Sequence, residues 1–496
     1  SLNENVYRSV KEYAETTEAK TLSGYKKKLK EETLREFERN GFALSSEERK
    51  QLKKIKNELS SLSTLFQKNI AQFEEYLFLD EKELEGLPED YKKTRLQDDG
   101  RYKIGLDYPS YVPFMQYAHS EKLRKELAFK FSNRAKDENL DVLQKVLKLR
   151  LEMAILLGYP TYATYRMENK MAKSPKTVWE FEKELQQKVR KKAEQDYAEL
   201  LAVKKTKQGQ NSTENMKVFS WESGYYKTIL LKEKYAVDQQ EIKEYFEVGQ
   251  VLKGIFEITK TLFGVEMVAV KNASVWHEDV ILLEVKENNK VIGRCYLDLY
   301  PRKNKYGHAA CFPIVMGRLE DDIYQIPTVA LLCNFPKPTE EQPSLLQHGQ
   351  VTTFFHEFGH ALHNLLTQSP VMTYAGTNVV HDFVEVPSQL FENWCWNYES
   401  LQLFAKHYKT GKTLPSELFD KLLAAKNVGS GLHILQQILY GTYDLTFTVT
   451  YNVNVGENGF SYSINGENNT SVAYDDSGSQ TVVVTGLSGD GNDITI

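Results

Sequence analysis

Val351-Thr-Thr-Phe-Phe-His-Glu-Phe-Gly-His-Ala-Leu-His-Asn-Leu-Leu366 carries an H-E-x-x-H pattern, His356 to His360, inside an apolar run with helical spacing. On a helix, residues four apart share a face, so both imidazoles aim at one point. Two neutral imidazoles at that spacing suit a zinc ion, and Glu357 falls beside a water on that ion. The stretch predicts a helix with His356 and His360 as metal ligands, and the chemistry of a zinc peptidase. The competing reading is a helix with two solvated or satisfied histidines, and the neighbours argue against it. Phe354, Phe355, Phe358, Ala361 and Leu362 would bury the helix, and buried histidines need partners. Gly359 costs about 1 kcal/mol relative to Ala inside a helix, so it asks for a packing reason.

Zinc needs a third protein ligand and an open fourth position. Asp382-Phe-Val-Glu385-Val-Pro-Ser-Gln-Leu-Phe-Glu392-Asn-Trp394 offers one. Glu385, Ser388, Gln389 and Glu392 share one helical face, while Val384, Leu390, Phe391 and Trp394 would anchor the helix. Spacing alone leaves Glu385 and Asp382 both open as ligands. A first-turn carboxylate can also serve the helix dipole with no metal involved. Ser388, Gln389 and Glu392 are available to hold the imidazoles in place, though spacing does not assign them.

With 496 residues the chain is too long for one simple core and predicts two or three domains. A net charge of −5 is small for this size and argues neither for nucleic acid nor for a membrane surface, so neither is expected as a partner. Lysine clusters such as Lys53-Lys-Ile-Lys56 alternate with glutamates and read as solvated helix faces. Cys295, Cys311, Cys333 and Cys395 are scattered singly among apolar residues, which predicts buried free thiols in a reducing compartment. No stretch is apolar enough to span a bilayer. Ser1-Leu-Asn-Glu-Asn5 is not a signal peptide, so a cytoplasmic location is expected; the missing initiator Met leaves room for an upstream targeting segment.

Helical periodicity runs through about residue 75, again over about 118–157 and 174–206, and from 348 to about 445. Between them, Val280 to Val285, Val291 to Tyr300, His308 to Ile314 and Thr328 to Phe335 are short β-type runs, forming a small sheet just before the metal helix. Thr328 to Phe335 is a candidate edge for peptide backbone addition, or an ordinary sheet strand. His308 reads as a strand-end residue. His363 lies on a different face from His356 and reads as structural. Trp276-His-Glu-Asp279 is not a metal cluster, because adjacent residues do not converge on one face. At about residue 448 the composition changes. Thr448-Val-Thr-Tyr-Asn-Val-Asn-Val455 and Phe460-Ser-Tyr-Ser-Ile464 alternate strictly, Asn465-Gly466 signals a hairpin, and Thr481 to Thr485 is a further strand. The expected division is 1–160 helical, 161–447 catalytic and 448–496 an appended β-rich tail.

Phe354 to His363 followed by Asp382 to Trp394 resembles the thimet oligopeptidase and neurolysin family of zinc metallopeptidases. Trp276-His-Glu-Asp-Val280, Tyr296-Leu-Asp-Leu-Tyr-Pro-Arg302, Lys305-Tyr-Gly-His-Ala-Ala-Cys-Phe312, Cys333-Asn-Phe-Pro-Lys-Pro338 and Pro343-Ser-Leu-Leu346 are similar to that family in order. Gly158 to Tyr165 is a looser match, and the likeness runs from residue 1 to about 447. The resemblance implies one zinc per chain on His356, His360 and Glu385, with Glu357 as general base. It implies a mainly α, multi-helix zincin-type fold with a small sheet beside the H-E-x-x-H helix and a deep channel. It implies a metalloendopeptidase acting through a zinc-bound water on internal bonds of short peptides, as a monomer. The family's tyrosine-rich C-terminal segment, understood to stabilise the oxyanion, has no match here. The second expectation is therefore a catalytically impaired remnant or chimera that binds zinc and peptide.

Overall fold

A computed structural model describes residues 4–209, 215–302, 304–449, 452–456, 459–464, 467–473, 483–484 and 494–495, with side chains up to residue 446. It is mainly helical with a small mixed sheet, as the sequence predicts. The chain forms two compact units.

One unit comprises Ser1–Phe73, Asn133–Leu185 and Gln437–Ile496. Its longest early helix, Ser46–Gln72, starts with a reciprocal cap in which Glu48 N–H donates to Ser45 Oγ and Ser45 N–H donates to the Glu48 carboxylate. It packs on helix Lys136–Leu156 through Leu52, Ile55 and Met153. Buried Arg39 donates to Glu168 and to the Tyr165 carbonyl, and its guanidinium lies 4.2 Å from the Tyr165 ring centre. In the tail, Asn452–Gly456, Gly459–Ile464 and Glu467–Ala473 pair antiparallel. The helix before them runs on to Val449, so the alternation that starts at Thr448 begins inside a helix. The Asn465-Gly466 turn lies outside the described residues, as does most of the Thr481 to Thr485 strand.

The other unit comprises Glu74–Ser132 and Gln186–Gln436. Helix α1 (Val248–Phe263) is capped by the Glu247 carboxylate, which accepts from the backbone of Gly249 and Gln250 at 2.8 Å each. It ends on Gly264 at φ +70°, a left-handed stop that turns the chain into the sheet. The five strands are β1 (Val265–Ala269), β2 (Ile281–Glu287), β3 (Lys290–Asp298), β4 (Ala310–Val315) and β5 (Thr328–Leu332). Their spatial order is β1-β2-β3-β5-β4, with β3 and β5 parallel and the other pairs antiparallel. Thr328 to Leu332 is therefore an interior strand, and the edges are β1 and β4. Register pairs Leu283 with Cys295, Cys295 with Val329, and Cys311 with Leu331, which puts these residues on one face. That face meets helix α2 (His348–Leu365): a Cβ on Gly293 would fall 2.8 Å from the Leu365 side chain.

All four cysteines are unpaired. Burial pushes the Cys295 thiol up to about 12, so it sits in the core as a small apolar group. No helix among the described residues is long and apolar enough to cross a membrane.

His348, first residue of α2, anchors the helix. Its ring is buried against Trp396 at 4.3 Å and Phe246 at 5.8 Å, and its Nε2 bonds the Cys395 carbonyl at 2.9 Å. Burial pushes its pKa from 6.5 down to about 4. The unfolded chain takes the proton first, so the stability from this neutral ring is complete above about 6.5 and is lost as pH falls towards 4. Denaturant unfolding at pH 7 and pH 5 should show the wild type losing about 2 kcal/mol more than a His348→Phe variant. Equal losses in the two proteins would refute the burial of a neutral imidazole.

Candidate metal centre

Val351, Phe354, Phe355, Phe358, Ala361, Leu362 and Leu365 are all buried and fix one side of α2 to the core. Phe354 packs on Phe335 and Phe355 on Phe391, each at 5.7 Å between ring centres. This leaves His356 and His360 on the remaining side. Helix α3 (Glu385–Glu392) packs on that side of α2. A Cβ on Gly359 would lie 2.7 Å from Ser388 Cα and 3.1 Å from the Pro387 carbonyl oxygen. Gly359 is the packing device its helix-weakening cost asked for: it lets the two backbones touch.

That contact delivers Glu385. Its Oε2 lies 3.1 Å from Nε2 of His356 and 3.1 Å from Nε2 of His360. One ligand atom from each of the three residues falls within 4.8 Å of the others. A tetrahedral zinc site with bonds of about 2.0–2.1 Å separates its ligands by about 3.3 Å, so this donor set fits the ion. Asp382, the other carboxylate left open by spacing, precedes α3 and is not in the group. Trp276-His-Glu-Asp279 forms no such group; Trp276 donates instead to Asp298 at 2.9 Å.

The surrounding contacts hold the three residues. Glu392 Oε1 lies 2.8 Å from His356 Nδ1, which directs the Nε2 lone pair to the shared point. That bond raises the His356 pKa against the opposing effect of burial. Ser388 Oγ, fully buried, donates to Glu385 Oε2 at 2.9 Å. Burial works to raise the Glu385 carboxyl, but the Ser388 bond and the two imidazoles outweigh it and hold it below its ordinary value. Of the residues with unassigned roles, Glu392 thus reaches His356 and Ser388 reaches Glu385. Burial lowers the His360 pKa, and its Nδ1 is buried without a hydrogen-bond partner among the described residues.

Glu357 is 8% exposed. Burial pushes its carboxyl up, His356 draws it down, and the backbone N–H of Cys311 on β4 donates to it. That contact with the edge strand was not visible in the sequence, because a strand's period does not name its neighbour across the fold.

Two helical histidines and a carboxylate from the following helix, beside a small mixed sheet, define a zincin-type metallopeptidase fold. Residues 114–470 match the model of Peptidase family M3, and the chain belongs to that family. It is 38% identical to a thimet-like oligopeptidase of Dictyostelium discoideum, over 83% of this chain and 63% of that protein. It is 35% identical to oligopeptidase A of Escherichia coli (strain K12), over 89% of this chain and 67% of that protein. It is 36% identical to saccharolysin of Saccharomyces cerevisiae, over 89% of this chain and 64% of that protein. The chain thus spans about two thirds of the length of these relatives.

Proposed function

We propose that this chain is a zinc-dependent metalloendopeptidase of the oligopeptidase type, cleaving internal bonds of short peptides. The single observation that carries the reading is the convergence of His356, His360 and Glu385 with buried Glu357 between the two histidines in sequence. A bound zinc ion would act as a Lewis acid on the scissile carbonyl and bring the pKa of water towards about 7. Glu357 accepts the proton released by the attacking water and returns it to the leaving amine. Glu392 and Ser388 hold the ligands. The family relatives named as oligopeptidases support short peptides as substrates. Strand β4, an edge joined to Glu357 through Cys311, offers its outer side to an extended peptide. The scattered free thiols fit a reducing compartment such as the cytoplasm.

Metal analysis of the purified chain is expected to give one zinc, lost in His356→Ala, and a quenched-peptide assay is expected to show cleavage that a chelator abolishes and zinc restores. A protein that holds zinc yet cleaves no peptide would overturn the peptidase reading and leave a zinc-binding remnant.

A further inference from the structure

We infer that Asn364 is a positioning residue for the metal centre, fastening the returning chain so that Glu385 arrives over His356 and His360. The inference rests on reading those three residues as zinc ligands. Asn364 sits one turn beyond His360 and is 2% exposed. Its Nδ2 donates to the His360 carbonyl at 2.9 Å. Its Oδ1 accepts from Thr377 twice, from the backbone N–H at 3.2 Å and from Oγ1 at 3.1 Å. One side chain therefore joins the ligand-bearing turn of α2 to the segment that returns to α3.

The segment is shaped to lie on this side chain. Gly376 has φ +54°, and a Cβ there would fall 2.3 Å from Asn364 Oδ1 and 2.7 Å from its Cα. Ala375 beside it is fully buried. Beyond Thr377, Asn378 Nδ2 donates to the Met372 carbonyl at 2.9 Å, and burial falls away before α3. Residues 378–383 are all exposed, Val384 gives α3 no side-chain cap, and the next buried residue is Ser388. Glu385 thus stands between two attachments, Asn364 with Gly376 and Thr377 on one side and Gly359 with Ser388 on the other. Ser388 sets the distance between the helices. Asn364 sets the direction from which the first turn of α3 reaches the histidines.

The test is zinc affinity, measured by competition with a chromophoric chelator on the 496-residue chain verified as folded by circular dichroism. Asn364→Ala is expected to weaken zinc binding about 10–100-fold, the usual range for loss of a group that orients ligands. In a Glu385→Ala background the same substitution should change affinity less than about twofold, because its route of action is gone. A purely structural asparagine would lower the melting temperature and leave zinc affinity alone, or cost the same factor in both backgrounds; either result overturns the inference. If Asn364→Ala does not fold, Thr377→Val, which keeps the backbone bond, should show a smaller loss in the same direction and only with Glu385 present. Wild-type protein that takes up no zinc would refute the metal reading itself, whereas zinc-binding wild type with unaffected variants refutes this inference alone.

Discussion

Replacing Glu357 by Gln is expected to leave one zinc per chain in place and to lower kcat on a quenched peptide by about 10²–10⁴-fold. The amide has nearly the size of the carboxylate and still offers an oxygen to the Cys311 N–H that now meets Glu357. What it lacks is the ability to take a proton from water and give it up again. An interaction made only during the chemical step lowers kcat while leaving KM near its starting value. Zinc loss in Glu357→Gln would make the residue a structural support, and retained turnover would remove it from the chemistry altogether.

Asp298→Ala is expected to destabilise the fold by about 3–5 kcal/mol in denaturant unfolding, the scale of stranding one partner of a buried ion pair. Asp298 is 1% exposed at the end of β3. Arg302 grips both its oxygens at 2.7 Å, Trp276 Nε1 donates at 2.9 Å, and Lys305 Nζ lies 2.9 Å away. The Lys305 side chain is itself buried, and its ammonium faces the carboxylate while donating to the carbonyls of Asp298, Tyr300 and Cys333. Without the carboxylate, that ammonium is left in the interior facing carbonyl dipoles only. Burial works to raise the Asp298 carboxyl, but the three donors outweigh it and hold it well below 3.8. A carboxyl so depressed contributes stability that is present above about 3.8 and lost as pH falls through its folded value. The gap between wild type and Asp298→Asn should therefore stay constant from pH 7 to pH 5 and narrow only below about 4. A gap that closes between pH 7 and pH 5 would contradict this account.

Much of this was legible in the chain itself, and the exceptions share a cause. The H-E-x-x-H helix announces itself because its periodicity and its two histidines follow from one geometry, that of a single helix. The choice between Glu385 and Asp382 stayed open on spacing, since it turns on where α3 begins: Asp382 lies three residues before it. Strand positions could be read, but sheet order could not, because alternation reports a strand and not its neighbours. Four consecutive residues, Thr328 to Leu331, are buried, as in a strand covered on both faces. An asparagine in the last turn of a helix looks like a surface residue; Asn364 is buried only because residues 375–377 fold back onto it. In each case the missing information was a partner far away in the chain.

The contact of Gly359 with Ser388 has a consequence for how this centre tolerates change. Where two helices meet through side chains, exchanging one core residue for another shifts the axes by fractions of an ångström, and anything mounted on them moves too. Here main chain rests on main chain at Gly359, with Phe391 of α3 stacked beside it on Phe355 and Phe358 of α2. A side chain at position 359 would part the two backbones and carry the Glu385 carboxylate away from the two imidazoles, so the geometry of the cluster is most sensitive at this one position, whereas the aromatic contacts beside it have rotamers with which to adjust.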